Sequence, residues 1–307
     1  MIEVSGLSKK YGHFEALKSI SFRVEKGTVF GFIGRNGAGK TTTMNILTGL
    51  LKFDKGKVLI KGKELSKSRR SLSKIIGYLP ESPSFYDYMN SYEYLNFIGG
   101  IIGYNKNLKK TTGELLEKVK LTKHGKRRIG VYSRGMKQRL ALAVAFMNSP
   151  EILFLDEPAS ALDPGGRKEM LELIEDLKDE KITIFLSTHI LNDAEKVCDR
   201  ICIIDEGRIL LTEQLSRLYK THIQPILDIE FEDNPEDFIT PIKKLDWVEN
   251  IKIERHTASI YVKDIDTARR EILKEISKLD TGIISYRIRK STLEDIFMRM
   301  VGKNELI

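Results

Sequence analysis

The chain has 307 residues, 41% hydrophobic and 31% charged, and its 51 Lys and Arg outnumber 43 Asp and Glu for a net charge of +8. That length buries a substantial core in one large domain or two ordinary ones, and the composition excludes a disordered tail, a collagen-like fibre and a membrane-embedded bundle. No apolar run approaches the roughly 20 residues needed to cross a bilayer, and residues 1–12, with Glu3, Lys9 and Lys10, lack the apolar centre of a signal peptide. The two cysteines, Cys198 and Cys202, have no His or Cys partner at zinc spacing and read as buried thiols of a reducing compartment.

In chain order, residues 2–4, the alternating Ile20, Phe22 and Val24, the run 29–33 and residues 58–60 predict strands. Asn90, with Glu93 three residues on, is a capping-box signature for a helix continuing through Leu95, Ile98 and Ile102. A second helical piece opens at 115–119. Helices at 138–146, 168–177 and 193–197 then alternate with apolar strands at 152–155, 182–186 and 201–204. That order predicts a parallel sheet with crossover helices, α/β in class. Residues 205–208 turn the chain into 209–211, a hairpin at the sheet edge.

Near 221–225 the pattern restarts, with a strand at 226–231, a helix at 235–245, paired strands at 251–253 and 259–262, a helix at 267–279 and a strand at 283–288. This β-α-β-β-α-β order predicts a small α+β domain of ferredoxin-like topology. The charge shifts at the same place: residues 1–220 hold 37 basic and 26 acidic side chains, residues 221–307 hold 14 and 17. Two domains, 1–220 and 221–307, are expected. A basic first domain suits phosphate-rich ligands, nucleic acid or an anionic membrane surface, and a solvated basic face accounts equally for residues 61–74.

Residues 34–41 read Gly-Arg-Asn-Gly-Ala-Gly-Lys-Thr, between an apolar strand and a helical segment. This is the context in which G-x-x-x-x-G-K-[ST] cradles phosphates, the glycines letting backbone N–H groups close on the oxygens and the helix adding its positive end. The candidate phosphate-binding set is Gly34, Asn36, Gly37, Ala38, Gly39, Lys40, Thr41 and Thr42. Lys40 would neutralise the β- and γ-phosphates, and Thr41 would offer its hydroxyl to Mg²⁺. The strand at 152–155 runs into Asp156 and Glu157, placing two acids at a strand's C-terminal end, where open α/β sheets bind ligands. Asp156 suits a Mg²⁺ partner and Glu157 a base or orienting group for an attacking water.

The residues between these sites resemble the ATP-binding cassettes of ABC proteins. Residues 132–139, Tyr-Ser-Arg-Gly-Met-Lys-Gln-Arg, resemble the signature motif, residues 161–163 the D-loop that ends in Asp163, and residues 187–189 the segment bearing the switch histidine, His189. Tyr11 matches the aromatic residue that stacks on adenine. The resemblance covers residues 1 to about 215 and implies an ATPase with an antiparallel β subdomain and a helical subdomain built on the P-loop fold. It also implies a head-to-tail pair, ATP being held by the phosphate loop of one subunit and by Ser133 and Gly135 of the other. Two departures stand out. Glu81 occupies the position where most members carry the Q-loop Gln; it retains the ability to ligate Mg²⁺ and bond water. Arg134 stands where Gly is usual and would need a backbone angle that a side chain tolerates.

Residues 291–297, Ser-Thr-Leu-Glu-Asp-Ile-Phe, resemble the tail of ATPase subunits that serve ABC-2-type exporters; an amphipathic end, with Leu293, Ile296, Phe297 and Met300 packing locally, is the plainer reading. The loop at 82–89 carries Phe85, Tyr86, Tyr88 and Met89 without helical period, and in the family this region receives the membrane subunit. The expectation is an ATP- and Mg²⁺-dependent subunit, peripheral on the cytoplasmic face of the membrane. It would pair with a second ATP-binding subunit and a separate transmembrane permease, without nucleic acid. The alternatives are a soluble ABC ATPase acting on nucleic acid or ribosomes, and a ligand-sensing role for the C-terminal module.

Overall fold

The computed structural model describes residues 1–104, 107–222, 225–279, 281–290 and 292–296. The chain divides into two compact units, Met1–Leu215 and Ser216–Ile307.

The first unit opens with β1 (Ile2–Tyr11) and β2 (Phe14–Val24), followed by β3 (Val29–Ile33), α1 (Lys40–Leu47), β4 (Lys55–Ile60), β5 (Lys63–Glu64), α2 (Leu65–Leu72) and β6 (Ile76–Leu79). Next come α3 (Ser91–Ile101), α4 (Leu108–Lys118), α5 (Arg134–Phe146), β7 (Ile152–Asp156), α6 (Pro164–Asp176), β8 (Thr183–Thr188), α7 (Leu191–Val197), β9 (Arg200–Asp205) and β10 (Arg208–Gln214). Two sheets result. One is antiparallel, in the order β2-β1-β4-β5, and the other runs β10-β9-β3-β8-β7-β6. In the second sheet all pairings are parallel except the β9–β10 edge hairpin.

Every residue of β3, β7 and β8 is buried, as expected of central parallel strands covered on both faces. Phe22 of β2 packs on Phe30, Phe32 and Phe185 with ring centroids 5.4–5.9 Å apart, and this aromatic cluster joins the two sheets into one core. The helices α3, α4 and α5 contact one another and form the helical subdomain. Helix α3 has the expected capping box, Asn90 accepting from the Glu93 amide while the Glu93 carboxylate accepts from the Asn90 amide. Helix α4 starts at Leu108, before the expected 115, because the Asn107 side chain caps it by accepting from the Lys110 amide.

The second unit begins with all but the first residue of α8 (Leu215–His222) and continues with β11 (Pro225–Phe231), α9 (Thr240–Lys243), β12 (Val248–Glu254), β13 (Thr257–Val262), α10 (Ile265–Ile276) and β14 (Ile283–Lys290). The sheet order is β12-β13-β11-β14 with every neighbour antiparallel, which is the ferredoxin-like arrangement read from the sequence. The single helix expected at 235–245 is a correction: a 3-10 turn at Pro235–Asp237 precedes the short α9. Pro241 lacks an N–H and its ring would clash with the preceding turn, so no helix can run through it, but it is tolerated in a first turn.

Leu293 and Ile296 are buried, whereas Phe297 and Met300 lie outside the described residues. Thr292 and Asp295 explain the tail motif locally. The Thr292 amide and hydroxyl both donate to Asp295 Oδ2, and the Asp295 amide donates to Thr292 Oγ1, forming a reciprocal cap. Arg289 bridges Asp295 to Asp228, and the Tyr261 hydroxyl donates to Asp295 Oδ1. Burial pushes the Asp295 carboxyl up, but the donors Arg289, Thr292 and Tyr261 outweigh it and hold the group at about 2. A carboxylate depressed in the folded state contributes stability above its ordinary value of 3.8, lost as pH falls through about 2. Asp295→Asn should therefore destabilise the second unit by about 3 kcal/mol at neutral pH, since it leaves Arg289 short of a charge partner, and flatten the acid dependence below pH 4. Thermal unfolding of the full chain between pH 2 and 7 checks both effects.

Candidate functional site

The phosphate loop leaves β3 at Ile33 and turns against β9: a Cβ on Gly34 would sit 2.3 Å from the Ile204 carbonyl oxygen. Gly39 ends the loop as the cap of α1 at φ 107°, a left-handed conformation that glycine adopts at little cost. Lys40 is buried and folded back into the loop. Its ammonium donates to the Gly34 carbonyl at 2.8 Å and the Arg35 carbonyl at 3.1 Å and lies 3.2 Å from Glu157 Oε1.

Strands β7 and β8 set the acids. They pair Asp156 opposite Ser187, and Ser187 Oγ donates to Asp156 Oδ1. One residue on, the chain turns through Glu157 at φ 48°, a region unusual for a side-chain-bearing residue. The Glu157 amide donates to Ser187 Oγ at 3.0 Å, and Glu157 Oε2 lies 2.9 Å from His189 Nδ1. An ionised carboxylate can only accept, so Nδ1 carries the proton in this pair. Glu157 Oε1 is buried and, among the described residues, has no hydrogen bond and is ion-paired with Lys40. Burial raises the Asp156 carboxyl above its ordinary range, opposed by donors from Ser187 and Thr41 and reinforced by the charges of Glu157 and Glu81. Burial, with the charges of Asp156 and Glu81, likewise pushes the Tyr78 hydroxyl up to about 12, so Tyr78 is neutral at physiological pH.

A cleft of about 430 Å³ gathers Tyr11, Asn36, Gly37, Gly39, Lys40, Thr41, Thr42, Glu81, Glu157 and His189. Glu81 reaches it because β6 runs parallel to β7, with Leu79 opposite Leu155, so the residues after both strands emerge at one end of the sheet. Asp156 adjoins the cleft through Thr41, while Gly34 and Ala38 form the back of the loop. Phe14 and Ala16 line the same cleft and were not expected. Phe14 sits opposite Tyr11 across the β1–β2 turn, and the turn at Gly12 and His13 was the signal for it. Ser187 was also missed, although it opens the segment that contains His189.

The residues present suit a nucleotide with a hard cation. The loop offers a glycine-shaped cradle and a buried ammonium, Glu157 Oε1 is an orphaned acceptor, and Thr41, Asp156 and Glu81 supply oxygen donors only, the chemistry Mg²⁺ selects.

Ser133, Gly135 and Asp163 lie outside the cleft. Ser133 caps α5 by accepting from the Met136 amide at 3.2 Å, and Asp163 caps α6 by accepting from the Gly166 amide at 3.4 Å. The two caps adjoin, since a Cβ on Gly135 would lie 3.8 Å from Gly166 Cα. Arg134 opens α5 and is absent from the residues of positive φ, so the glycine-like angle expected there is not required. The 82–89 segment is a loop, as expected. Phe85 and Met89 are half-buried, Phe85 stacking edge-on against Tyr94 at 5.0 Å; Tyr86 and Tyr88 are exposed and lie 5.8 Å apart. Much of the basic charge is locally answered: Lys61 pairs with Glu151, Lys67 with Glu64, Lys118 with Glu180 and Arg139 with Glu169.

Comparison with known proteins agrees with this geometry. Residues 17–160 match the ABC transporter family, and residues 215–301 match the C-terminal domain of DrrA1-3-like ATP-binding proteins. The chain is 34% identical to the bacitracin transport ATP-binding protein BcrA of Bacillus licheniformis, over 98% of this chain and 97% of that protein. It is 39% identical to the lantibiotic transport ATP-binding protein SrtF of Streptococcus pyogenes, over 73% of this chain and 97% of that protein. Among solved structures, a dimeric bacterial ABC transporter cassette superposes with a TM-score of 0.62 at 26% identity, covering 70% of this chain and 99% of that one. With similarity along its whole length to a transport ATP-binding protein, and the phosphate loop and strand-end acids of the first unit lying in the stretch matched to the family, the chain belongs to the ABC transporter ATP-binding proteins, as a subunit that binds and hydrolyses ATP to drive transport.

Proposed function

We propose that the chain works as one half of a head-to-tail ATP-dependent pair, peripheral on the cytoplasmic face of a membrane, and powers a separate membrane-spanning exporter. The observation that carries this reading is that the ATP cleft is half a site. The phosphate loop, acids and His189 converge in it, while the capped start of α5 at Ser133, a second anion-binding helix end, lies outside it. A second subunit would bring that end to the γ-phosphate. In the cleft, Lys40 and the loop amides would bind the phosphates, and Thr41, Asp156 and Glu81 would hold Mg²⁺, which would supply positive charge to neutralise the phosphate oxygens. Glu157 orients the attacking water through Oε1, with Oε2 fixed by His189. Tyr11, half-exposed, offers a ring for adenine.

Transport of bacitracin and of lantibiotics in the relatives' names supports an exporter. Among the described residues no helix is long and apolar enough to cross a membrane, so on this reading the translocation path belongs to the partner. Tyr86 and Tyr88 are the docking anchors on this reading, because both remain exposed, Tyr86 even with its edge contacts to Tyr94 and Phe97, while Phe85 and Met89 are half-buried. The double change Tyr86→Ser and Tyr88→Ser should release the chain from membranes while basal ATPase activity stays within about twofold of wild type, as buried aromatic anchors carry most of an interface's energy. Fractionation of cells expressing it, with ATPase assay of the purified chain, is the check. Retention on the membrane together with stimulation of the wild type by RNA or DNA would favour the soluble alternative.

A further inference from the structure

The residue preceding the Thr-His pair has no role yet, although it touches both acids. Ser187 is wholly buried in β8, between the acid-bearing end of β7 and the site. Its hydroxyl has one proton. Asp156, when ionised, can only accept, so that proton goes to Asp156 Oδ1; the Glu157 amide can only donate, so its hydrogen goes to a lone pair on the same oxygen. Both partners thus fix the direction of one hydroxyl, and that hydroxyl fixes both partners. The Glu157 amide has a second acceptor in the Ser187 carbonyl at 3.2 Å, so side chain and main chain of one residue together hold the start of the left-handed turn. Asp156 retains Thr41 as its other donor.

We infer that Ser187 is a positioning residue for hydrolysis: through one oxygen it orients Asp156 toward the metal and fixes the backbone turn that presents Glu157 to the water. A carboxylate tethered at one oxygen keeps the other pointed in one direction, which is the way partners behind metal ligands raise affinity, and their loss typically costs about 10- to 100-fold. Without the hydroxyl, Asp156 is left with Thr41 as its one remaining side-chain donor and is less tightly oriented, and the Glu157 amide keeps only the longer carbonyl contact. Ser187 does not itself line the cleft and reaches it only through the Glu157 amide, and the phosphate-loop contacts of Lys40 do not involve it, so metal-free nucleotide binding should be spared. The inference rests on the reading of Asp156 as a metal-binding group, and the test separates the two.

Binding of a fluorescent ATP analogue is measured first in EDTA and then across a Mg²⁺ titration, for wild type, Ser187→Ala, Ser187→Cys and Asp156→Asn. Cys fills the space, being slightly larger than Ser, and is only a weak donor, so it reports even if the smaller side chain leaves the sheet unfolded. Both Ser187 variants should bind the analogue in EDTA within about twofold of wild type, require at least tenfold more Mg²⁺ for half-maximal effect, and hydrolyse ATP at least tenfold more slowly with KM for ATP little changed. An unchanged Mg²⁺ midpoint in a Ser187 variant that binds in EDTA, with the Asp156→Asn midpoint displaced, overturns the role of Ser187 alone. Unchanged midpoints in all three remove the metal reading of Asp156 and the inference with it.

Discussion

Glu157→Gln should lower ATP turnover by about 10²- to 10⁴-fold while ATP binding survives or tightens, and should accumulate an ATP-bound pair of subunits. The amide matches the carboxylate in size and can still bond to His189, but it is a far weaker proton acceptor. Binding is spared for a reason visible at the loop: Glu157 Oε1 lies 3.2 Å from the Lys40 ammonium, so without nucleotide the acid occupies the charge that the phosphates must claim. Neutralising it removes a competitor. Sizing the variant with and without Mg-ATP, together with steady-state hydrolysis, checks the result; turnover at the wild-type rate would eliminate Glu157 from the chemistry.

Lys40→Ala is expected to weaken ATP binding by roughly two to three orders of magnitude, from the about 2–5 kcal/mol that truncating one partner of a buried charged contact costs, and to reduce hydrolysis to background. Lys40 is enclosed by the Gly34 and Arg35 carbonyls, and both Lys40 and Glu157 are only 6% exposed, so no solvent replaces the missing ammonium. The same change strips Glu157 of its cation. Adding Glu157→Gln to Lys40→Ala should therefore recover thermal stability without recovering nucleotide affinity, and equilibrium binding alongside melting curves distinguishes the two effects. ATP affinity near the wild-type value in the single variant would contradict the phosphate-loop role.

What could be read from the sequence was what depends on neighbours along the chain. The phosphate loop, the run into Asp156 and Glu157 and the capping box at Asn90 and Glu93 are short-range patterns with one physical solution each, and the structure has them. The alternation of strands and helices predicted the parallel sheet and the four-stranded sheet of the second unit for the same reason, whereas the antiparallel sheet of the first unit was implied by the family resemblance. Two errors came from weighing apolar spacing above backbone chemistry: Asn107 starts α4 in a polar stretch, and Pro241 breaks the helix expected at 235–245. The rest needed tertiary information. Ser187 gains its meaning only when β8 is laid beside β7, Phe14 only when the first hairpin folds over the loop, and the split of the aromatic loop into exposed Tyr86 and Tyr88 and half-buried Phe85 only when α3 is in place. Arg134 shows the reverse: a substitution that looks costly by family resemblance is accommodated as the first residue of a right-handed helix.

The left-handed turn at Glu157 bears on how the enzyme fails as well as on how it works. A conformation of this kind costs on the order of 1–3 kcal/mol and is retained only because its surroundings over-determine it, here the pairing of β7 with β8 and the contacts to Ser187 and His189. The most precisely placed group in the site is therefore also the one with the least local reason to stay where it is. Heat, denaturant or a poorly matched substitution along that strand pair should therefore relax Glu157 before it opens the sheet, so that in a denaturant titration turnover is expected to fall before the secondary structure does.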